Sequence, residues 1–195
     1  MDKSIFILGG TAWINLLNTT YISNKQKIDI LADSSKTLQW LEANDLLRDS
    51  DALALENKEL LDSLIKELQS FRNFSKIIMS DLEQHGKLTP NTTNELIKLV
   101  EQVKVNLTIV PNHDKLVLAP VGTTTEDHVL FNIIDSIIHT LENTSVNRIR
   151  KCEHPECILY YVDTSKSGRR RWCSMELCGN RKKVAEFYAR KKKKL

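Results

Sequence analysis

The chain lacks the features that assign a sequence to several common classes of protein. No run of apolar residues approaches the roughly 18 that a membrane-spanning helix needs, so we expect no membrane partner. There is no glycine-rich phosphate loop and no grouping of serine or cysteine with histidine and an acid that would suggest nucleophilic catalysis. The five histidines are scattered, and lone histidines of this kind are usually structural or solvated. We therefore name no catalytic residue and do not expect an enzyme.

Cysteine is absent from the first 151 residues and then occurs four times within one short segment. The four residues form two pairs of equal spacing, Cys152 with Cys157 and Cys173 with Cys178. Thiolate is a soft ligand that suits Zn²⁺, and each pair can supply half of a tetrahedral shell. The spacing therefore predicts a zinc site. Because four thiolates leave no open position for an activating water, the predicted role of the zinc is structural.

Two other arrangements of the cysteines remain open, namely two disulfide bonds or four unrelated buried thiols. Disulfides are typical of exported proteins. The first residues and the apolar stretch after them do not have the pattern of an export leader, so we expect a reducing compartment, the cytoplasm. His154, within the first pair, could replace a cysteine as a ligand, although a histidine beside Pro155 is more typical of a solvated turn.

Charge is divided unevenly along the chain, whose formal net charge is +3. Residues 146–195 contain fifteen Lys and Arg against five Asp and Glu, whereas residues 1–145 contain thirteen against twenty. An excess of positive charge at one end is the usual electrostatic footprint of a polyanion partner. We therefore divide the chain into a body, residues 1–145, and a basic C-terminal module, residues 146–195, which we expect to bind nucleic acid.

Hydrophobic periodicity and capping signals predict that the body is mainly helical. Leu and Ile recur at intervals of three and four residues from Asp51 to a stop at Gly86, with Lys and Glu between them, which predicts one long amphipathic helix. Four shorter helices complete the prediction: one over residues 11–20, one capped by Ser34 or Ser35, one from Thr89-Pro90 to Val103, and one over residues 129–141 with a capping box at Thr123 and Glu126.

A small β-hairpin is predicted between the last two helices of the body. Residues 105–109 alternate between apolar and polar, residues 111–114 have the composition of a turn, and residues 116–118 are apolar again. The predicted fold class is thus mainly α with a small β-hairpin, followed by a C-terminal zinc-bound module of β-hairpin and helix. The break in periodicity at residues 143–145 is the predicted domain boundary.

The C-terminal module can be read in more detail. Residues 158–162 form a short β-run, and the polar turn at residues 163–168 should bring residues 171–173 back beside it. Ser174 is a candidate N-cap for a helix over residues 175–190, with Val184, Phe187 and Tyr188 on one side. A segment this small buries little apolar surface, so zinc binding should supply most of its folding free energy.

Basic residues around the predicted zinc site are the candidate contacts to nucleic acid, because guanidinium and ammonium groups on an anchored helix suit phosphates and grooves. These candidates are Arg169, Arg170, Arg171, Arg181, Lys182, Lys183 and Arg190. The run from Lys191 to Lys194 is more typical of a solvated end. Trp172, with Tyr160 or Tyr161, could stack on unpaired bases as in RNA-binding proteins, or could pack beside the metal.

Several segments resemble a known family. In the module, Arg150-x-Cys152, Asp163-Thr164-Ser165 and the run from Arg170-Arg171-Trp172-Cys173 to Cys178-Gly179-Asn180-Arg181 resemble the CGNR zinc finger. In the body, residues 6–10, residues 14–19 and Trp40-Leu41 are similar to the ABATE domain, which accompanies that finger in bacterial proteins regarded as stress-induced transcription regulators. The resemblance implies that Cys152, Cys157, Cys173 and Cys178 bind the metal, that the finger binds DNA, and that the body senses a ligand or regulates.

We therefore expect a bacterial transcription regulator that binds DNA rather than RNA through a structural zinc finger. Two alternatives remain open. One is an RNA- or ribosome-associated zinc protein, and the other is a protein-interaction or small-molecule-sensing module in which the finger only braces the body. A single finger offers little specific contact area, so specific binding would need a homodimer. A small-molecule effector would bind the body.

Overall fold

The computed structural model describes residues 3–112 and 114–192. These residues form seven α-helices and three two-stranded antiparallel sheets, which confirms the predicted fold class. The helices are α1 (Ala12–Leu17), α2 (Ser34–Ala43), α3 (Asp49–Ala54), α4 (Lys58–His85), α5 (Pro90–Gln102), α6 (Thr125–Asn143) and α7 (Asn180–Lys192). The strands pair as β1 (Thr20–Ser23) with β2 (Gln26–Asp29), β3 (Val105–Asn112) with β4 (Lys115–Gly122), and β5 (Ile149–Lys151) with β6 (Tyr160–Val162). Within the described ranges, no helix has both the length and the apolar character needed to cross a bilayer.

The connection between α4 and α5 forms as the sequence predicts. Gly86 ends α4 in the left-handed conformation with φ of 68°, which glycine adopts without a steric penalty. Thr89 then caps α5 by accepting the backbone N–H of Thr92, and Pro90 occupies the first turn, where its missing N–H costs nothing. These three predictions are confirmed, and each depends only on backbone groups within a few residues of the one that was predicted.

The long amphipathic helix is shorter than predicted. Residues from Asp51 belong to the separate helix α3, and α4 begins only at Lys58, after Asn57 has accepted two backbone N–H groups as its N-cap. Asp51 is buried and bound on both sides, to the Arg48 guanidinium at 2.7 Å and to the Thr125 hydroxyl at 2.7 Å. This network fixes α3 against the start of α6, which the apolar periodicity does not reveal.

The start of α6 differs from the prediction by one residue. Its capping box joins Thr124 and Asp127, not Thr123 and Glu126. Thr123 still belongs to the end of the hairpin, because its backbone N–H donates to the Lys104 carbonyl at 3.0 Å. The helix therefore begins one residue later than the spacing suggests.

The cap of α2 also differs from the prediction. The carboxylate of Asp33 accepts the backbone N–H of Lys36 at 3.0 Å, so Asp33 takes the N-cap position that we assigned to Ser34 or Ser35. Asp is as strong an N-cap as Ser, and its carboxylate also complements the positive end of the helix dipole.

The core of the body lies where α1, α2, α4 and α6 meet. Trp13 and Trp40 are completely buried there, with Leu68, Ile78 and Ile137 among their buried neighbours. Trp13 also satisfies its indole N–H, which donates to the Thr140 hydroxyl at 3.1 Å. This buried hydrogen bond fixes the short helix α1 against α6. Helix α1 also contacts β6, so the N-terminal segment lies close to the C-terminal module.

The β-hairpin is confirmed and is longer than predicted. The register runs from Val105 opposite Gly122 to Asn112 opposite Lys115. His113, at the tip of the predicted turn, lies outside the described residues. The hairpin contacts α6, and most of its side chains are exposed.

Candidate metal centre and basic groove

The first cysteine pair is held by the hairpin of β5 and β6. Cys152 follows β5 directly, and its backbone N–H donates to the Leu159 carbonyl at 2.9 Å, which extends the strand pairing. Cys157 closes a tight turn by donating its N–H to the His154 carbonyl at 2.9 Å. The His154 ring accepts the Glu156 N–H at 3.2 Å and is not one of the clustered ligand groups, so it serves the turn.

The second pair lies around a single π-helical turn, Met175–Gly179. Ser174 caps this turn by accepting two backbone N–H groups, as predicted. The Ser174 carbonyl accepts the N–H of the buried Cys178 at 3.1 Å and also that of Gly179 at 3.1 Å, and the second bond closes the wider π turn. Cys173 precedes the cap, and its N–H donates to the Cys152 sulfur at 3.4 Å. Backbone hydrogen bonds therefore bring the two pairs together.

The four sulfur atoms have the spacing that a tetrahedral metal needs. All lie within 4.8 Å of one another. The Cys157 and Cys173 sulfurs are 3.8 Å apart, and those of Cys173 and Cys178 are 3.6 Å apart. A tetrahedral zinc with Zn–S bonds near 2.3 Å places its sulfur ligands about 3.8 Å apart. The donor chemistry and the spacing both fit a bound zinc ion.

The structure has neither of the other arrangements considered for the cysteines. All four are free, and all four belong to one cluster, in which three are buried and Cys157 is half-buried. Their contacts couple the thiols. Hydrogen bonds with Cys157 and the other sulfurs lower the pKa of Cys152, whereas hydrogen bonds with Cys152 and the others raise the pKa of Cys173. The ionisation of one thiol therefore depends on the state of its neighbours in the cluster.

A buried carboxylate, Asp163, organises the loop that leads to the second pair. It accepts the Ser165 N–H at 2.9 Å, the Ser165 hydroxyl at 2.6 Å and the Arg170 N–H at 3.0 Å. Burial would raise the pKa of Asp163, but these hydrogen bonds and the charge of Arg148 hold it below its usual value. The sequence placed Asp163 at the start of a polar turn and in the motif with Thr164 and Ser165, but did not indicate the hydrogen bond to Arg170.

The three adjacent arginines have different environments. Arg170 is half-buried, stacks on the Tyr161 ring at 4.4 Å, and donates to the carbonyls of Trp172 and Cys173. Arg171 is exposed, pairs with Glu153 at 2.6 Å, and lies over the Trp172 ring at 4.9 Å. Arg169 is exposed. Arg170 thus braces the metal loop, while Arg169 and Arg171 face solvent.

These arginines line an open groove of about 580 Å³ beside the cysteine cluster. Six of its eight lining residues are arginine or serine, and Trp172 and Met175 add to its apolar surface. The lining residues are Ser165, Ser167, Arg169, Arg170, Arg171, Trp172, Ser174 and Met175. Guanidinium groups and hydroxyls are the side chains that most often bind phosphate oxygens. The structure therefore brings together three of the predicted contact residues.

The other four predicted contacts lie on α7. Arg181 donates to the Leu177 carbonyl at 2.6 Å, and Lys182 lies 3.7 Å from Glu186. Lys183 and Arg190 are exposed. The apolar residues predicted for one side of this helix are also exposed: Val184 by 54%, Phe187 by 55% and Tyr188 by 60%. Lys191 belongs to α7, and the end of the predicted lysine run, like Leu195, lies outside the described residues.

The partner of β6 differs from the prediction. Residues 171–173 were expected beside it, but β6 pairs with β5, and Tyr161 is opposite Arg150. The returning chain lies next to the turn of the first pair, where the Glu153 N–H donates to the Arg171 carbonyl at 3.0 Å. The strand β5 was missed because three residues are too short to give a periodic signal.

The module is docked on the N-terminal segment of the body. The Asn18 side chain accepts the Tyr160 N–H at 2.9 Å and donates to the Tyr160 carbonyl at 2.7 Å. The Val162 N–H donates to the Gly9 carbonyl at 2.9 Å. Asn15 accepts the Gly9 N–H at 2.7 Å, and a side chain on Gly9 would collide with Asn15. The N-terminal motifs thus hold the module.

A cavity of about 420 Å³ lies in the body between α4, α5 and α6. Its lining combines buried rings, Phe71 and Phe74, with carboxylates. The carboxylates are Glu67, Glu95, Glu126 and Asp127. Burial, with the charges of Glu67 and Asp127, raises the pKa of Glu126. The cavity thus combines apolar surface with acidic side chains.

Comparison with known proteins agrees with the cysteine geometry. No curated protein matches the chain. The family model of the CGNR zinc finger matches residues 148–191, which include all four clustered cysteines, the arginine groove and most of α7. The C-terminal part of this protein is therefore similar to a CGNR zinc finger.

Proposed function

We propose that this protein is a DNA-binding transcription regulator whose C-terminal zinc finger binds the phosphate backbone. The observation that carries the proposal is the groove beside the cysteine cluster, where Arg169 and Arg171 face solvent among serine hydroxyls. Phosphate contacts of this kind supply most of the affinity of non-specific DNA binding. We assign phosphate contact to Arg169 and Arg171, and a bracing role to Arg170.

The helix α7 supplies the second part of the proposed interface. The 13 residues of α7 form a helix about 20 Å long. The major groove of DNA is wide enough to admit an α-helix. Lys183 and Arg190 are exposed along α7. Of the aromatic side chains that could stack on unpaired RNA bases, Tyr161 is buried under Arg170, and the half-buried Trp172 has Arg171 over its ring. These contacts favour DNA over RNA.

The metal in this proposal is zinc, held by Cys152, Cys157, Cys173 and Cys178. When bound, it would cross-link the two halves of the finger, and four thiolates would leave it no site for water. The chain itself then orients the groove through Asp163 and Arg170. We propose no catalytic step.

Binding to pooled genomic DNA and to total RNA across a salt series tests the proposal. We expect tighter binding to DNA, with affinity that falls steeply as salt rises. Changing both Arg169 and Arg171 to Ala should weaken binding and make the slope of log affinity against log salt shallower by about 0.9 for each phosphate that is no longer neutralised. The control is Lys98→Ala, on an exposed part of α5. Preference for RNA, or an unchanged salt dependence, would contradict the proposal.

We further propose that residues 1–145 are an ABATE-like regulatory domain of a cytoplasmic, stress-responsive protein, with an organic cation as effector. The cavity lined by carboxylates and by Phe71 and Phe74 supports the proposal of a cationic effector. Thermal shifts with amines and with neutral analogues of the same shape would test it. Only the cations should stabilise the protein, and Glu126→Gln should reduce the effect while Glu142→Gln, exposed on the same helix, should not. Equal shifts with neutral analogues would contradict the effector class.

A further inference from the structure

One face of the β3–β4 hairpin is apolar and, except at the buried Gly122, open to solvent. Opposed residues of paired strands share a face, so the register places the odd-numbered residues of β3 with the even-numbered residues of β4. The face consists of Val105, Leu107, Ile109, Pro111, Leu116, Leu118, Pro120 and Gly122. None of these eight described residues is charged. The opposite face carries Asn106 and Thr108 and the half-buried Val110, Ala119 and Val121.

The exposure of this face is too large to be incidental. Leu107 is exposed by 68%, Ile109 by 63%, Leu116 by 75%, Leu118 by 63% and Val105 by 39%. Together they form a contiguous apolar patch of roughly 500 Å², which is near the upper limit for a soluble monomer. A patch of this size therefore marks a candidate interaction surface.

We propose that the face packs against the same face of a second copy of this chain. Two such patches would remove roughly 1,000 Å² of apolar surface from water, about the minimum for a specific interface before any polar rim is added. A face without charged residues fits a partner face without them, and a two-fold dimer supplies one, since the same patch is used on both copies. The inference does not depend on nucleic-acid binding.

The mass of the purified, zinc-loaded chain across a concentration series tests the dimer, by light scattering after size exclusion. We expect a reversible dimer. The neighbouring residues Ile109 and Thr108 provide matched variants, because both are exposed and they lie on opposite faces of β3. Ile109→Lys should abolish the dimer, since it would bury a charge against an apolar face. Thr108→Lys should leave it intact.

A milder variant and a second measurement keep the test independent of folding. Leu107→Thr introduces a β-branched residue, which strands favour, and should raise the dissociation constant at least tenfold because it replaces apolar surface with a hydroxyl. Hydrogen exchange at high concentration should protect β3 and β4 in the wild type and not in Ile109→Lys. A wild type that stays monomeric throughout the series would overturn the proposal. So would a dimer that persists in Ile109→Lys.

Discussion

The side-chain amide of Asn18 binds both backbone groups of Tyr160, although 142 residues separate them. Its oxygen accepts the Tyr160 N–H at 2.9 Å, and its nitrogen donates to the Tyr160 carbonyl at 2.7 Å. Asn18 is 2% exposed, so this pair of bonds is shielded from water. The Asn18 side chain thus links the body to β6, a strand of the zinc finger.

Asn18→Ala should loosen the finger from the body. The change leaves the N–H and the carbonyl of the half-buried Tyr160 without their partner, at up to about 1–3 kcal/mol for each group. We expect the free energy of unfolding to fall by about 3 kcal/mol and the amides of β5 and β6 to exchange faster. Urea unfolding and hydrogen exchange would measure these effects. The control is Asn94→Ala, exposed on α5, and an equal loss in that variant would remove the special role of Asn18.

Removal of zinc should disorder the finger and leave the body folded. A metal at the cluster would link the two cysteine turns and supply folding free energy to this small module, whereas the body has its own core around Trp13 and Trp40. After treatment with a chelator, we expect residues 149–179 to lose protection from hydrogen exchange while α4 keeps it. In the variant Cys157→Ser, the amides of residues 149–179 should exchange rapidly both before and after treatment. Protection of residues 149–179 that survives chelation would show that docking on the body suffices.

Arg170→Ala should lower the stability of the protein, whereas Arg171→Ala should lower its affinity for DNA. Arg170 donates to two backbone carbonyls and stacks on Tyr161, so its loss should lower stability by about 1–3 kcal/mol. Arg171 forms an exposed ion pair with Glu153, which contributes about 0–1 kcal/mol. Its loss should leave stability unchanged and weaken DNA binding. Thermal unfolding and DNA titration of both variants would check this, and the same profile for both would refute it.

Acid should destabilise the body through Asp51. Burial would raise the pKa of this carboxyl, but the hydrogen bonds of Arg48 and Thr125 lower it from 3.8 to about 2. A group with a lowered pKa stabilises the fold above its unfolded value, and this contribution disappears as pH falls from about 4 to about 2, amounting to about 2 kcal/mol. Asp51→Asn should therefore lose less stability than the wild type over this range. Urea unfolding of both proteins at a series of pH values, followed by helix content, would measure the difference, and parallel curves would contradict it.

Most features fixed by neighbouring residues could be predicted from the sequence, although the caps of α2 and α6 were assigned to the wrong residues, and features fixed by distant partners could not. Gly86, Thr89 and Pro90 act within one turn of their own position, so their roles follow from residue type. The paired cysteines are equally local, because each pair needs only a short turn to converge. Asn18, by contrast, has its function in a strand 142 residues away. No pattern around it indicates that partner.

The arginine run illustrates the same limit at shorter range. Arg170 and Arg171 are indistinguishable by charge, spacing and composition, and sequence reasoning gave both the same role. Their difference arises because the loop held by Asp163 turns Arg170 onto Tyr161 and leaves Arg171 at the surface. A prediction of which arginine faces solvent would require the position of Tyr161, which depends on the pairing of β5 with β6.

Only Thr144 and Ser145 separate α6 from the short 3₁₀ turn that leads into β5, and the finger is also fixed to Asn18 and Gly9. The finger is therefore held against the body and is not an independent domain on a long linker. In a dimer joined through the hairpins, the separation of the two arginine grooves would be a fixed length of the protein. Under the proposed DNA-binding function, this fixed separation would select sites by the number of base pairs between their two halves.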